Sequence, residues 1–357
     1  MIGAGIVGLS TAHALAERGV AVSVFESGIP GNGQSGGEGR IFRHAHDDSR
    51  LVELAKRSRA IWREWEDELG CELVSGDGVV ALGDGALERL EVVDEAGGVD
   101  AVPIGSEELV ARMPLLARYA GPAVLDRDGG SIRTTAAIDA LSTRLGDALV
   151  ADEVLSLRPT GTGVVEVRTG GRGEDFSAVV VCAGRGTAAL ARGVGLSLPV
   201  DLAAHLRVTF DVRGDPPANL AALQDSSGAF PETGIYATAE PGNRRYGVGL
   251  SETVSVSEAG AITDPDSLRS LSERTVAYVE EALPGLYPEP REVRHCWVTH
   301  LPWSDDGVGV WEREGIQFIA GHNLFKMAPV LGRELAVAAT GGELTPELRA
   351  ESRLGEG

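Results

Sequence analysis

Three glycines at the start of the chain are spaced so that they could hold a phosphate group. Gly3, Gly5 and Gly8 form a GxGxxG motif directly before an apolar run with helical periodicity. Such glycines allow a tight turn, a close approach of pyrophosphate to the backbone and close packing of helix on strand. The helix N-terminus then faces the phosphates. Glu26 closes the next valine-rich stretch, where a carboxylate can accept hydrogen bonds from ribose hydroxyls, so the pattern predicts a dinucleotide site.

Cations at two places in the chain have the chemistry to bind a carboxylate. Arg40 and Arg43 lie three residues apart, and a planar guanidinium is a good bidentate partner for a carboxylate. Lys326 is one of only two lysines among 32 basic residues. A lysine kept against this arginine bias suggests that a lysine is needed there. The alternatives are solvent-facing arginines in surface ion pairs and a surface lysine.

The three cysteines and the histidines form no disulfide or metal pattern. The cysteine count is odd and sparse and includes no CxxC pair. Cys182 lies in an apolar stretch and is expected in the core, and Cys71 has no evident role. Cys296 follows Arg294 and His295, either of which could favour a nucleophilic thiolate; the alternative is a small buried residue on a strand. Four histidines lack metal-ligand spacing and are expected to be structural: His44, His46, His300 and His322.

The elements that would position these residues follow from hydrophobic periodicity and turn residues. Helices are predicted over residues 9–19, 49–69, 106–113, 134–146 and 267–283, and a loop and helix over 322–340. Strands are predicted over residues 20–27, 78–82, 164–168, 176–184 and 315–321, with a mainly strand-like pattern from 205 to 300. Ser49 and Ser106 are the expected helix caps. The glycine-rich residues 28–39 are expected to form a loop.

Composition limits the class of protein and its partners. The chain has 357 residues, of which 43% are hydrophobic and 24% charged, so two globular domains are expected. The net charge of −21 argues against nucleic acid and anionic membrane as partners, because both require a basic face. No apolar run is long enough to span a membrane, and the N-terminus lacks the basic segment of a signal peptide. A cytoplasmic location is expected.

Five stretches of the chain resemble the D-amino-acid-oxidase superfamily of flavoproteins, most closely its sarcosine-oxidase-like branch: GAGIVG (3–8), GEGRIFRHAH (37–46), VVVCAG (179–184), RHCWVTHLPWSDDG (294–307) and AGHNLFKMAPVLGRELA (320–336). With the spacing between them, the resemblance covers nearly the whole chain and is weak in the middle β-rich region. It implies an α/β fold, with a Rossmann-like FAD-binding domain and an inserted substrate domain built on a mostly antiparallel β-sheet. The expected boundaries are 1–75, 131–204 and 301–357 for the FAD-binding domain, and 76–130 and 205–300 for the substrate domain.

The resemblance also implies roles for individual residues. Arg40 would lie beside the flavin ring, while Arg43 and Lys326 would bind a substrate carboxylate. Cys296 lies where covalently flavinylated members of the family carry the cysteine that is bonded to the flavin, so the FAD is either covalent or non-covalent here. Further contacts with the cofactor are implied at Gly3, Gly5, Gly8, Glu26, Ser35, Val154, Gly184 and Gly321.

The segment RYGVGLSE (245–252) departs from the pattern of the family's oxidases. Those enzymes carry a lysine above the flavin that promotes reaction with oxygen, whereas Gly247 or Gly249 falls at that place here. The electron acceptor is therefore either oxygen or another molecule, and a dehydrogenase is an alternative to an oxidase. The residues that line the sarcosine site are incompletely matched, with Tyr236 and Tyr246 as the nearest candidates, which allows a bulkier substrate.

These features together predict FAD-dependent oxidation of the C–N bond in an amino acid or N-alkyl amino acid. The substrate would be a small-molecule amine carboxylate, and a hydride equivalent would move to the flavin. One alternative is a flavin dehydrogenase of a hydroxy acid or polyol phosphate, which would share the fold. Another is a truncated chain that no longer binds flavin and acts as a binding module, because only Met1 and Ile2 precede the glycine motif.

Overall fold

The computed structural model describes residues 1–161 and 163–356. Within them the helices are α1 (Ile6–Glu17), α2 (Ser49–Leu69), α3 (Asp84–Ala96), α4 (Ser106–Arg112), α5 (Thr134–Leu145), α6 (Thr187–Gly193), α7 (Pro265–Ala282) and α8 (Leu324–Ala339). The strands are β1 (Val24–Glu26), β2 (Gly39–Phe42), β3 (Val79–Leu82), β4 (Ala101–Pro103), β5 (Ala123–Asp126), β6 (Gly130–Arg133), β7 (Leu149–Ala151), β8 (Val154–Pro159), β9 (Val165–Thr169), β10 (Gly173–Phe176), β11 (Val179–Val181), β12 (Asp201–Asp211), β13 (Ala222–Asp225), β14 (Ile235–Ala239), β15 (Arg245–Leu250), β16 (Thr253–Ser255), β17 (Glu292–His300), β18 (Val308–Arg313) and β19 (Ile316–Gly321).

The chain forms two compact units, each assembled from stretches that are separated in sequence. The first unit comprises Met1–Gly37, Thr135–Leu202 and Val298–Gly357, and the second comprises Glu38–Thr134 and Ala203–Trp297. Residues 38–75, which were expected to lie with the N-terminal stretch, belong instead to the second unit. The reason is tertiary pairing, because β2 forms an antiparallel pair with β6 and α2 packs on α3.

The first unit is a Rossmann-like arrangement in which Ile2 lies between two strands. Ile2 forms parallel bridges to Phe25 of β1 and to Val181 of β11. The pairs β1–β7 and β11–β19 are also parallel, while β18 is antiparallel to β19. Helices α1 and α8 pack on each other. Ile2 thus pairs with a strand on each side, directly before the glycine motif, in the place of a first strand.

The second unit contains a mostly antiparallel sheet, as the sequence predicted. In its described residues, nine strands pair in the order β16-β12-β15-β14-β13-β3-β5-β4, with β17 also paired to β12, and β13–β3 is a parallel pair. One face packs into a hydrophobic core that includes Leu206, Tyr246 and Val248. Side chains alternate along a strand, so Arg207, Tyr236, Gly247 and Gly249 lie on the opposite face, here called the polar face.

The predicted helices are confirmed, but both predicted caps are wrong. The side chain of Asp48, not Ser49, accepts a hydrogen bond from the backbone of Arg50 at 2.9 Å at the start of α2. Helix α4 has Gly105 as its N-cap, without a side-chain hydrogen bond. At α2, the carboxylate of Asp48 lies one residue before the predicted cap. It accepts a hydrogen bond from a helix N–H group that has no partner within the helix, and its negative charge suits the helix dipole. No helix in the described part of the chain is long and apolar enough to cross a membrane.

Candidate cofactor and substrate site

The glycine motif forms a tight turn that leaves no room for side chains. Gly3 has φ +94°, and a Cβ there would lie 2.5 Å from the carbonyl oxygen of Cys182. A Cβ at Gly8 would overlap the carbonyl oxygen of Gly3. The turn leads directly into α1, whose first N–H groups have no partner within the helix and favour an anion. The start of α1 can therefore receive a phosphate group.

Two predicted cofactor residues are gathered at this turn. Glu26, half-buried at the end of β1, accepts hydrogen bonds from the backbone N–H groups of Ala4 at 2.8 Å and Gly28 at 2.9 Å. Ser35 Oγ accepts a hydrogen bond from the N–H of Ile6 at 3.0 Å. Each carboxylate oxygen of Glu26 keeps a further lone pair. Glu26 can therefore brace the turn and still accept a hydrogen bond from a ribose hydroxyl.

Three other predicted cofactor residues lie elsewhere in the first unit. Gly184, with φ +54°, begins a turn after β11, and a Cβ there would lie 2.5 Å from Oε1 of Gln34. Gly321 ends β19, and a Cβ there would overlap the carbonyl oxygen of Gly307. Val154 begins β8 and packs, half-buried, against the hydrophobic core of this unit. The two glycines thus have packing reasons of their own, and cofactor contacts for all three residues stay a prediction.

The two lysines of the chain have different surroundings. Lys56 forms an ion pair with Glu53, with Nζ 2.6 Å from Oε1, and its ammonium also donates to the carbonyl of Ala96 at 3.1 Å. Lys326, in the first turn of α8, is only 4% exposed. The alternative that Lys326 is a surface lysine is therefore wrong. Lysine is rarely buried to this extent unless its charge is used, which supports a binding role.

The backbone next to Arg43 is held by hydrogen bonds of the following residue. It directly follows β2, and the next residue, His44, is buried. The backbone N–H of His44 donates to Asp126 Oδ2 at 2.8 Å, and its ring Nδ1 lies 3.0 Å from the same oxygen. Asp126 also accepts a hydrogen bond from the N–H of Gly129 at 3.0 Å. His44 is thus structural, as expected, and Asp126 fixes the backbone beside Arg43.

Arg40 belongs to a cluster on the polar face that the sequence did not reveal. Its guanidinium donates to the carbonyl of Gly39 at 2.9 Å, and Arg207 of β12 donates to the same oxygen. The guanidinium carbon of Arg207 lies 5.6 Å from the centre of the Tyr236 ring, within reach of a cation–π contact. Burial, and then the charge of Arg207, lowers the pKa of Arg40 to about 10.

Cys296 also joins this cluster. The Arg40 guanidinium donates to Cys296 Sγ at 3.8 Å, so Arg40 is a cation in contact with the sulfur. Arg294, expected from the sequence to influence this thiol, instead lies 3.8 Å from Glu292 as an ion pair. Cys182 differs, because burial raises the pKa of its thiol to about 12. Of the two, Cys296 is the cysteine whose sulfur accepts a hydrogen bond from a guanidinium.

The two tyrosines proposed from the sequence lie on opposite faces of the sheet. Tyr246 is fully buried in the core of the second unit, where its hydroxyl donates to the carbonyl of Ala221 at 2.7 Å. Its candidacy as a site residue is therefore wrong, because it lies on the core face of the sheet. Tyr236 lies on the polar face, over Gly249, while the side chain of Arg207 covers Gly247. A cation from the neighbouring strand thus occupies the space over Gly247.

Comparison with known proteins agrees with this geometry. The family described as FAD dependent oxidoreductase (DAO) matches residues 1–338, so the chain belongs to that family. Human peroxisomal sarcosine oxidase (Homo sapiens) is 26% identical over 365 residues, which cover 94% of this chain and 90% of that protein.

Solved structures show the same fold at lower sequence identity. NikD, described as an unusual amino acid oxidase essential for nikkomycin biosynthesis, has a TM-score of 0.83 at 22% identity and covers 99% of this chain and 95% of its own. L-proline dehydrogenase from P. horikoshii has a TM-score of 0.82 at 21% identity and covers 99% and 96%, respectively. The fold is therefore that of FAD-binding amino acid oxidases and dehydrogenases.

The residues of the first unit fit the cofactor of this family. A Cβ at Gly3 or Gly8 would meet backbone atoms of the turn, α1 starts at the edge of the turn, and the Glu26 carboxylate lies at the end of the adjacent strand. These are the parts that bind the pyrophosphate and ribose of a dinucleotide. The chain is therefore an FAD-dependent oxidoreductase, and its glycine turn has the features that the ADP half of a dinucleotide requires.

Proposed function

We propose that the protein oxidises the C–N bond of an amino acid or N-alkyl amino acid, with FAD as the electron acceptor. Family membership supplies the cofactor and the class of enzyme. Relatives named sarcosine oxidase, amino acid oxidase and L-proline dehydrogenase support an amine that carries a carboxylate. The observation that carries the proposal is the burial of Lys326, because a buried ammonium is suited to a carboxylate removed from water.

The chain's own residues bind and orient the substrate in this reaction. Arg43 and Lys326 are the cations that we assign to the substrate carboxylate, and binding that group orients the carbon that is oxidised. When bound, FAD supplies the acceptor for the hydride equivalent that leaves this carbon. The nitrogen lone pair forms the C=N bond, a proton leaves the nitrogen, and water hydrolyses the released imine to a carbonyl compound and an amine. The reaction requires no protein nucleophile.

Substitution of the two cations tests this assignment. Lys326→Met and Arg43→Met should each lower kcat/KM for amino acids by about 10- to 100-fold, since a hydrogen bond to a charged group contributes about 1.5–3 kcal/mol. Turnover of the matching amino acid amides, which lack the carboxylate charge, should change far less. Lys56→Met is the matched control, because Lys56 is already paired at the helix surface.

Three results would contradict the proposal. An equal loss for acids and amides would exclude carboxylate binding by these residues. Turnover of a hydroxy acid or polyol phosphate, with none for any amine, would favour the alternative dehydrogenase. A protein that takes up no FAD would support the binding-module alternative.

The electron acceptor is addressed by a separate measurement. The strand segment around Gly247 and Gly249 lacks the lysine that the family's oxidases carry, which favours an acceptor other than oxygen. Protein reduced anaerobically by its substrate should therefore transfer electrons to a dye acceptor faster than to oxygen. Rapid formation of hydrogen peroxide on mixing with oxygen would assign an oxidase instead.

The contact of Cys296 with Arg40 supports a covalent link between this cysteine and FAD. Acid precipitation of the yellow protein should then leave the flavin in the pellet. Cys296→Ser should release the flavin to the supernatant, while Cys71→Ser should not. Yellow colour in the supernatant of the unchanged protein would show that the FAD is bound non-covalently and that Cys296 has a structural role.

A further inference from the structure

Two guanidinium groups meet at a single backbone carbonyl on the polar face. Arg40 Nη1 donates to the oxygen of Gly39 at 2.9 Å, and Arg207 Nη1 donates to the same oxygen. One acceptor thus holds two cations side by side. Like charges that share one acceptor repel each other in a poorly solvated site. The pKa of Arg40 is lowered first by its burial and then by the charge of Arg207. The arrangement costs free energy that a negative charge would offset.

Arg207 has hydrogen-bond donors that protein acceptors do not use. Among the described residues, no carboxylate forms an ion pair with Arg207, and its buried Nε has no hydrogen-bond acceptor. The carboxylate of Glu240 interacts electrostatically with Arg207, but it forms an ion pair with Arg245 at 3.8 Å. A buried donor without an acceptor costs about 1–3 kcal/mol. The Nε–H group of Arg207 can therefore donate to a further acceptor.

Another arginine of the same unit shows the contrasting case. Arg274 on α7 lies between two carboxylates, with nitrogen–oxygen distances of 2.6 Å to Glu232 and 2.7 Å to Glu252. These two acids raise the pKa of Arg274 above its ordinary value. Arg274 is thus neutralised by the protein, whereas Arg207 lies beside a second cation.

The strand beneath Arg207 makes room for it. A Cβ at Gly247 would lie 3.1 Å from Arg207 Cδ, and a Cβ at Gly249 would lie 2.6 Å from the Tyr236 hydroxyl oxygen. Larger residues at these two positions would displace both side chains. The Tyr236 hydroxyl is held in turn by the carbonyl of Leu206 at 3.2 Å. The position of the Arg207 guanidinium is therefore set by packing on two sides.

We infer that Arg207 and Arg40 together bind one carboxylate or another anion of similar size and charge. Arg207 is the main determinant, through its Nε and its fork of N–H groups, which match two carboxylate oxygens. Two sources supply this chemistry: a second acidic group on the amine substrate, and a free small anion. The first source rests on the proposed function, and the second does not.

Titration calorimetry on the FAD-loaded protein with two thioethers tests the site. Thiodiglycolate carries two carboxylates and (methylthio)acetate carries one, and neither has a C–N bond to be oxidised. If the anion is part of the substrate, thiodiglycolate should bind about tenfold or more tightly than (methylthio)acetate. Arg207→Met should remove that difference, and Arg207→Lys should retain part of it, because it keeps the charge but not the fork.

Acetate and chloride distinguish the second source. If the site takes a free anion, these ions should bind to the unchanged protein, Arg207→Met should weaken their binding by about tenfold or more, and the two thioethers should bind alike. The matched control is Arg245→Met, since Arg245 lies on the same sheet and is paired with Asp211 at 3.2 Å. Thermal melting checks folding, and Arg207→Met should melt no lower than Arg245→Met because it relieves repulsion on Arg40.

The inference is overturned if Arg207→Met and Arg207→Lys bind all four probes as the unchanged protein does. It is also overturned if Arg245→Met produces the same losses. Failure of the proposed function gives a different result. In that case, no amino acid or N-alkyl amino acid is turned over, while Arg207-dependent anion binding in the calorimeter persists.

Discussion

The two units of the molecule offer different kinds of groups for binding. In the first unit, the glycine turn offers backbone N–H groups, and its shape depends on the absence of side chains at Gly3 and Gly8. In the second unit, the polar face offers side chains, contributed by residues as far apart in sequence as Arg40 and Cys296. A backbone site depends on local conformation, whereas a side-chain cluster depends on tertiary pairing of distant strands.

This difference predicts how each region responds to substitution. A backbone site tolerates no added volume, because its walls are main-chain atoms that cannot move aside. A side-chain cluster can lose one member and keep its fold, because its neighbours on the sheet still hold the backbone. We therefore expect substitutions in the glycine turn to affect cofactor retention and substitutions on the polar face to affect ligand selection.

The largest effect is expected at the glycine turn. Gly8→Ala would place a methyl group against the carbonyl oxygen of Gly3, and overpacking of this kind costs about 1–3 kcal/mol. The affinity for FAD should fall by about 10- to 100-fold, as measured by titration of the apoprotein with FAD and followed by visible absorbance. Gly33→Ala is the control, because a Cβ there meets open space. Equal FAD affinity for both variants would show that the turn is not the cofactor site.

Much of the fold could be predicted from the sequence because its signals are local. The turn at Gly3, Gly5 and Gly8, the helix after it and Glu26 lie within one short stretch, and the predicted helices and the alternating strands are present. Arg207 was missed because a single arginine in an alternating strand resembles any solvent-facing residue. Only the pairing of β12 with β15, and the approach of Gly39, bring it to Arg40.

The wrong candidacy of Tyr246 as a site residue and the wrong placement of residues 38–75 have the same origin. Tyr236 and Tyr246 are equally plausible from the sequence, yet the sheet register turns one toward the polar face and the other into the core. Residues 38–75 follow the first unit in sequence but pair with β6 in the second. Both outcomes depend on contacts between distant residues, which periodicity does not contain.

The two tyrosines allow the two faces of the sheet to be compared directly. Tyr246→Phe removes a fully buried hydroxyl that donates to Ala221, and the loss of such a donor costs about 1–3 kcal/mol of stability. Tyr236→Phe, on the half-buried polar face, should cost less than about 1 kcal/mol. Urea unfolding of both variants measures the difference. A larger loss for Tyr236→Phe would contradict the assignment of the core face.

A smaller effect is expected where Asp126 holds the backbone beside Arg43. Asp126→Asn weakens the hydrogen bonds to His44 and should raise KM for a carboxylate substrate by about three- to tenfold, with little change in kcat. Asp128→Asn is the control, because Asp128 is exposed and paired with Arg63 at 2.6 Å. A fall in kcat at constant KM, or equal effects of the two variants, would exclude a positioning role for Asp126.

The smallest effect concerns Arg274, whose charge is already neutralised by carboxylates. A hydrogen bond from Arg274 lowers the pKa of Glu232 below its ordinary value of 4.5. The folded state therefore holds this carboxylate ionised more strongly than the unfolded state does. The resulting stability is present above about pH 4.5 and is lost as the pH falls through the lowered pKa.

Glu232→Gln should accordingly lower the free energy of unfolding by about 1 kcal/mol or less at pH 6, with a smaller difference near pH 3. Urea unfolding at the two pH values measures this change. The control is Glu280→Gln, at an exposed position on α7, the helix that carries Arg274. A difference that grows as the pH falls would mean that Arg274 does not stabilise the ionised form. Arg274 would then no longer serve as the neutralised counterpart of Arg207.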